Sequence, residues 1–189
     1  QLKSRKSHYD YLSIRKSEIE GYLNDGWEIQ KKNIHSFRVK RLKPSHIWFE
    51  DRVWSLFARM GFLQMNSDRN FRLCYTSDYK VPGKQIDVFT VDEETIFLIE
   101  CKSSSKRVTT SFQKDINEIN GIRGNIITNL KKTFEGKRKI VWLFCTENLV
   151  LSDNDKGRLN EHKIFHLNQD DIRYYEQLIE NLGISAKYQ

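Results

Sequence analysis

Gln85-Ile-Asp-Val-Phe-Thr-Val-Asp-Glu-Glu-Thr-Ile-Phe-Leu-Ile-Glu-Cys-Lys102 is the stretch whose reading decides the fold. Two runs rich in β-branched and aromatic residues flank Asp92-Glu93-Glu94, so two strands joined by a turn are expected. Side chains alternate along a strand, which puts Asp87, Phe89 and Val91 on one face of the first. Ile96, Leu98, Glu100 and Lys102 share one face of the second. A hairpin turning symmetrically about Glu93-Glu94 pairs Val91 with Ile96 and brings Asp87 directly opposite Glu100. Such pairs hold their β-carbons about 4.5–5.5 Å apart. The turn lacks the favoured Asn-Gly chemistry, so the register rests on that symmetry.

Ile86, Val88, Phe97 and Ile99 make the opposite faces apolar too, so the hairpin is expected to be central and buried. Two carboxylates facing each other there repel and are poorly solvated. A divalent cation such as Mg²⁺, with Mn²⁺ as a substitute, would neutralise them through hard oxygen ligands. Lys102 adds an ammonium at the same spot. A metal and an ammonium together can stabilise the charge that builds on a phosphoryl group as water attacks. The rival reading is a salt-bridged structural cluster. It is weakened because buried ion clusters are seldom worth keeping for stability, and because two acids and one base leave residual negative charge.

Upstream, Ser45 is expected to cap a helix through about Met60, ended by Gly61. Phe49, Val53, Leu56, Phe57 and Met60 form its apolar stripe, with Asp51, Arg52, Ser55 and Arg59 pointing elsewhere. Glu50 lies on or beside the stripe, three, four and seven residues before Val53, Trp54 and Phe57. A carboxylate there is paired, functional or reaching to water from the stripe's edge. Downstream, strands are expected at Phe71–Tyr75, Gln85–Val91 and Thr95–Lys102, then a long helix from Thr110 to Phe134. Strands at Lys139–Cys145 and Lys163–Leu167 and an Asn168-capped helix to Leu182 complete an α/β fold with a mixed sheet flanked by helices. Trp48, Trp54 and Trp142 read as core or near-core aromatics.

Residues 1–43 carry eleven Lys and Arg against five acids, +6 of the whole chain's +7. A basic segment on a near-neutral body suits a nucleic-acid partner, because Lys and Arg displace counterions from phosphates; a solubilising surface or an acidic protein partner would suit it too. This segment reads as a small α+β unit, residues 1–44: a helix over residues 9–24, then a hairpin over Trp27–Leu42 bending near Lys32-Asn33, closed by Pro44. The main domain then occupies residues 45–189. Lys40, Arg41, Lys43, Lys106, Arg107 and Lys114 are the candidate phosphate contacts. Arg123, Lys131 and Lys132 on the long helix could flank a phosphate backbone too, and a solvated helix face explains these and Lys114 equally well.

Cys74, Cys101 and Cys145 stand apart in strand-like runs with no CxxC pair, which points to a reducing compartment, the cytoplasm. His162 and His166 flank a strand-like run, where that spacing does not collect metal ligands. No apolar run approaches the ~20 residues of a membrane span. The chain opens at Gln1 rather than Met and ends at Gln189 without a polar tail, as a piece of a longer protein would.

Ile86-Asp87, with Glu100-Cys101-Lys102 thirteen residues on, resembles the PD-(D/E)XK motif of restriction enzymes and Holliday-junction resolvases. A preceding helix with an acid and a long following helix match that superfamily's core order, over residues 45–182. The resemblance implies a restriction-endonuclease-like fold and a Mg²⁺-dependent DNA endonuclease. It implies that Asp87 and Glu100 bind the metal with the backbone carbonyl of Cys101, and that Lys102 positions or activates water. Glu50 matches the first-helix acid loosely, and Gln113 resembles a polar residue that some members place near the site. Ile86 stands where the motif has proline, and the nearest proline is Pro82. Cutting both strands needs two active sites, which a homodimer would supply. Asp25-Gly26-Trp27 and Phe49-Glu-Asp-Arg-Val-Trp54 further resemble the region preceding the main domain of bacterial DGQHR-domain proteins, a group associated with DNA modification and phage defence. The DGQHR sequence itself is absent. That likeness implies the N-terminal nuclease part of a longer protein with a further C-terminal domain. A DNA-binding or assembly module that no longer cuts, and a protein-interaction domain with a structural charge cluster, are the alternatives.

Overall fold

Strands that are apolar on both faces must be covered twice, and the chain covers them with helices on either side. A computed structural model describes residues 1–76, 78, 80–134 and 137–188; Gln189, the end of the expected main domain, lies outside them. The central sheet has five strands in the order β10-β9-β8-β7-β4: β4 (Gln64–Met65), β7 (Val88–Val91), β8 (Thr95–Thr109), β9 (Lys139–Val150) and β10 (Ile164–Leu167). β8 lies parallel to β9, and β9 to β10, while β7 pairs antiparallel with β8 and β4. The fold is therefore α/β with a mixed sheet flanked by helices.

Helices α3 (Ser45–Arg59) and α6 (Gln169–Leu182) cover one face. There Phe49, Val53 and Phe57 pack with Val88, Ile99, Leu143, Ile172 and Ile179. On the other face α4 (Gln113–Thr133) and α5 (Asp153–Glu161) bring Ile116, Ile119, Ile126 and Leu159 onto Phe89, Leu98, Trp142 and Phe144. Burying each large aliphatic side chain is worth roughly 1.5–3 kcal/mol. The two-stranded β5 (Arg72–Leu73) and β6 (Lys84–Gln85) precede β7. A Cβ on Gly83 would sit 2.6 Å from the Leu73 carbonyl oxygen, so only glycine lets these strands approach so closely.

The N-terminal part differs from its expected form. α1 (Leu2–Arg5) is followed by β1 (Tyr9–Arg15), and helix α2 spans only Ile19–Asn24. β1 pairs with β3 (Ser36–Leu42), which pairs with β2 (Glu28–Lys32). Tyr9-Asp-Tyr-Leu-Ser-Ile alternates as well as it spirals, and β3 offers a partner edge, so tertiary pairing prevails over helical spacing. Ile14, Trp27 and Val39 form the small core beneath.

Other expectations move as well. Ser45 is the first helical residue rather than the cap, a place taken by Pro44. Gly61 at φ +92° ends α3. Asp51 and Ser55 turn out to be buried rather than pointing outward. The expected strand Phe71–Tyr75 keeps only Arg72–Leu73, and β8 and β9 run further than expected. α5 carries too few apolar residues to announce itself. Leu159 packs inward, and Ser152 caps it by accepting from the Asp155 amide at 3.1 Å. Asn168 caps α6 as expected, accepting from the Asp170 and Asp171 amides.

Candidate metal and phosphate site

β7 and β8 pair Val88 with Ile99 and Val91 with Ile96, the register that the symmetric turn predicts. Asp87, one residue before β7, therefore meets Glu100. The amide of Cys101 donates to Asp87 Oδ2 at 2.8 Å, locking that carboxylate beside β8. Both acids are buried. Glu100 Oε1 takes Lys102 Nζ at 2.9 Å and Lys84 Nζ at 3.8 Å. Its second oxygen, Oε2, is buried without a hydrogen-bond partner among the described residues. A carboxylate oxygen in that condition costs free energy unless something positive meets it.

Burial pushes the Asp87 carboxyl up to about 7, and the charge of Glu100 adds to it; the Cys101 amide, Lys102 and Lys84 pull the other way. Glu50 reaches the same place from the start of α3. Its carboxyl is also raised to about 7, by burial first and then by Asp87, against the pull of Arg69. Burial opposes the charge on Lys102, yet Glu100 and Asp115 outweigh it and hold the ammonium above its ordinary range. Lys102 is thus a fixed cation here, able to orient water or phosphate and ill suited to accept a proton.

Three charged residues at this spot were not singled out in the sequence. Asp115, on the first turn of α4, pairs with Lys102 at 3.0 Å. Lys84 bridges Glu100 to Glu118 of α4, 3.2 Å from the latter. Asp115 and Glu118 could be placed only after α4 had been laid across the hairpin, and Lys84, though next to Gln85, lies three residues before Asp87, where strand alternation alone does not bring it to Glu100. Gln113 opens α4 with an exposed side chain.

Beside this centre lies a second, structural cluster. Asp51 is fully buried and bonds Arg5 at 2.8 Å, Lys43 at 2.7 Å and Arg69 at 2.5 Å. Arg69 also reaches Asp10 at 3.4 Å. Lys43 consequently faces inward, its ammonium closed off by Asp51 and by the carbonyls of Ser4 and Arg5. A phosphate contact from Lys43 is excluded in this conformation, because breaking a buried pair strands a charge. Lys40 and Arg41 point to opposite faces of β3, Lys40 beside Tyr9 and Glu28, Arg41 over Trp27. Lys106 and Arg107 lie exposed on the far part of β8, and Lys114 is exposed on α4.

Among the described residues, no three His, Cys, Asp or Glu side chains stand together as a ready metal cage. Mg²⁺ does not require one, since it keeps several waters and is usually held by one or two carboxylates. The partnerless Glu100 Oε2 and the raised Asp87 fit a site completed by a small hard cation. No helix among the described residues is long and apolar enough to cross a membrane.

No family model matches the chain, and no curated protein matches it. Among solved structures it is similar to protein VC1899 from Vibrio cholerae, at 13% identity and a TM-score of 0.50. That alignment covers 93% of this chain and 47% of VC1899, so the chain spans about half of that protein's length. Protein AF1548, of unknown function, is 14% identical, covering 68% of this chain and 66% of its own, with a TM-score of 0.48. At such identities the likeness to VC1899 speaks for the fold alone.

Proposed function

We propose that this chain is a Mg²⁺-dependent endonuclease of the PD-(D/E)XK type that hydrolyses DNA phosphodiester bonds. The observation that carries the reading is the buried Asp87–Glu100 pair, with Glu100 Oε2 lacking a partner and Lys102 alongside. A stability cluster would be expected to satisfy every buried oxygen, and this one leaves an acceptor open.

Asp87, Glu100 and the backbone carbonyl of Cys101 would hold the cation, which would supply a Lewis acid and an acidified water. The rest falls to the chain's own groups. Lys102, kept charged by Glu100 and Asp115, orients the attacking water and meets the developing phosphate charge. Lys84 stands ready as a second cation at Glu100. Burial first, and then neighbouring carboxylates, raises Glu50 and Asp87 each to about 7, so near neutrality they are partly protonated and would give up those protons as a cation binds. Exposed Lys106, Arg107 and Lys114 lie beyond the site, where a DNA backbone would run. The wider reading is a cytoplasmic restriction or phage-defence enzyme, a homodimer where both strands of a duplex are cut, and the N-terminal nuclease part of a longer protein.

The test is plasmid DNA titrated with Mg²⁺ or Mn²⁺, comparing the native chain with Asp87→Ala and Lys102→Ala. Metal-dependent nicking or linearisation lost in both variants supports the reading. DNA binding without cutting of unmodified, modified or branched DNA would transfer the chain to the binding-module alternative. Neither cutting nor metal binding would leave Asp87 and Glu100 as a structural pair.

A further inference from the structure

The three-stranded N-terminal sheet has one covered face and one open face. Residues directly opposite in a ladder share a face, so the register sorts them. Ile14 pairs with Phe37, and with Val39 this side closes over Trp27, Ile19 and Tyr22, while Leu12 opposite Val39 stands at its edge, 42% exposed. The other side presents Tyr9, Tyr11, Ser13 and Arg15 of β1 beside Leu42, Lys40, Arg38 and Ser36 of β3. β2 adds Glu28 next to Lys40 and Lys31 next to Arg38.

The composition of this open face is uneven. Arg15, Lys31, Arg38 and Lys40 outnumber the single acid Glu28. Tyr11 remains 37% exposed and Leu42 63% exposed. The two tyrosine rings are 6.4 Å apart. Each carries a cation from the neighbouring strand: the Lys40 ammonium lies 4.8 Å from the Tyr9 ring centre, and the Arg38 guanidinium 5.2 Å from that of Tyr11. Two aromatic rings side by side, tilted 51° to one another and flanked by Lys and Arg on an exposed sheet face, offer surfaces on which bases stack while phosphates meet the cations.

We infer that the open face of the β1-β3-β2 sheet binds an unpaired nucleic-acid strand, with Tyr9 and Tyr11 stacking on successive bases and Arg38, Lys40 and Lys31 holding the phosphates. Duplex DNA, its bases already stacked on one another, gains only the charge contacts here. The platform is fixed to the body through Asp10. That residue lies between the tyrosines in sequence and points to the opposite face, where Arg69 joins it to Asp51, next to Glu50. A strand on the platform is therefore held at a set position relative to the acid centre. The inference concerns binding alone and stands whether or not the acid centre cuts.

The experiment is fluorescence anisotropy of a labelled short oligothymidine over a range of salt concentrations, in EDTA so that no cutting intervenes. The doubly substituted Tyr9→Leu/Tyr11→Leu chain is expected to bind at least about fivefold more weakly at each salt concentration, with an unchanged salt slope. Tyr9→Phe/Tyr11→Phe should retain native affinity. Arg38→Gln/Lys40→Gln, which also removes the Lys40–Glu28 pair and is therefore checked for native folding by circular dichroism, should flatten the slope by roughly one to two units. Native affinity in the Leu variant, or equal binding of duplex and single strand regardless of the tyrosines, overturns the proposal. So does an oligothymidine that fails to bind while the Leu variant alters the chain's own sedimentation, which would assign the face to a second copy.

Discussion

The amide of Cys101 donates to Asp87 Oδ2 at 2.8 Å, so β8 itself holds the acid that lies opposite Glu100. This bond makes the position of Asp87 independent of any cation. It also separates two roles of one side chain, the charge and the hydrogen-bond acceptor.

Asp87→Asn retains an acceptor oxygen and loses the charge, whereas Asp87→Ala loses both. Metal-dependent DNA cutting should vanish in either variant. Stability should not fall equally. Alanine leaves the Cys101 amide unpaired in a buried place, at a cost of about 1–3 kcal/mol relative to asparagine. Urea denaturation in EDTA measures the difference; equal midpoints would mean that the bond contributes nothing.

Lys84 and Lys102 both approach Glu100, yet they should fail differently when removed. Lys102 sits two residues beyond Glu100 on the same face of β8, and Lys102→Ala is expected to abolish cutting while metal binding persists. Lys84 helps the acids to ionise by holding positive charge near Asp87. Lys84→Met should therefore move the pH at which Mn²⁺ binds upward, because the carboxyls lose a proton less readily. Isothermal calorimetry across pH separates the two; a downward or absent movement for Lys84→Met would remove it from the site.

How much of this could be read from the chain alone follows from which signals are local. The Asp87–Glu100 register was legible because strand alternation and a short symmetric turn leave few alternatives. α3, α4 and α6 were legible from their apolar spacing, and α6 also from Asn168. Tyr9–Arg15 misled because its apolar residues fit two periods, and the choice was made by β3, remote in sequence. Asp51 was read as outward because it neighbours Arg52 on a charged arc. In the fold, Arg5 of α1 and Arg69 close over Asp51 and bury it, while Arg52 turns to Glu147 and Glu176. Lys43 was misread for the same reason. Its partner lies eight residues away, but the cavity around them is built by Ser4 and Arg5. Lys84 and Asp115 show the same limit at the site itself.

The Asp51 cluster should behave as a structural clamp between the N-terminal unit and α3. Asp51→Asn leaves Arg5 and Lys43 buried with their countercharge gone, and is expected to destabilise by about 3–5 kcal/mol. Lys43→Met removes one of three cations from an acid that keeps Arg5 and Arg69, so its loss should be clearly smaller. Denaturant midpoints read both. A larger loss for Lys43→Met than for Asp51→Asn would contradict the view that the carboxylate is the hub.

The acid centre also sets how stability depends on pH. In the unfolded chain Asp and Glu titrate near 3.9 and 4.3. In the folded chain Asp87 and Glu50 are each raised to about 7, by burial and by a facing carboxylate. Between these limits the folded state binds more protons than the unfolded state, so stability falls as pH rises from about 4 to about 7 and then levels off. Asp87→Asn has no proton to lose there, and it relieves Glu50 of a neighbouring charge. Its stability should decline less across that window and exceed that of the native chain at about pH 8. Added Mg²⁺ should act in the opposite sense, because a cation binds the ionised acids, and should stabilise the native chain most above about pH 7. Urea midpoints measured in EDTA and in Mg²⁺ across this range decide the matter. A native profile that rises with pH in EDTA would show that burial and the neighbouring acids do not hold these carboxyls protonated, and a Mg²⁺ effect unchanged by Asp87→Asn would remove Asp87 from the cation site.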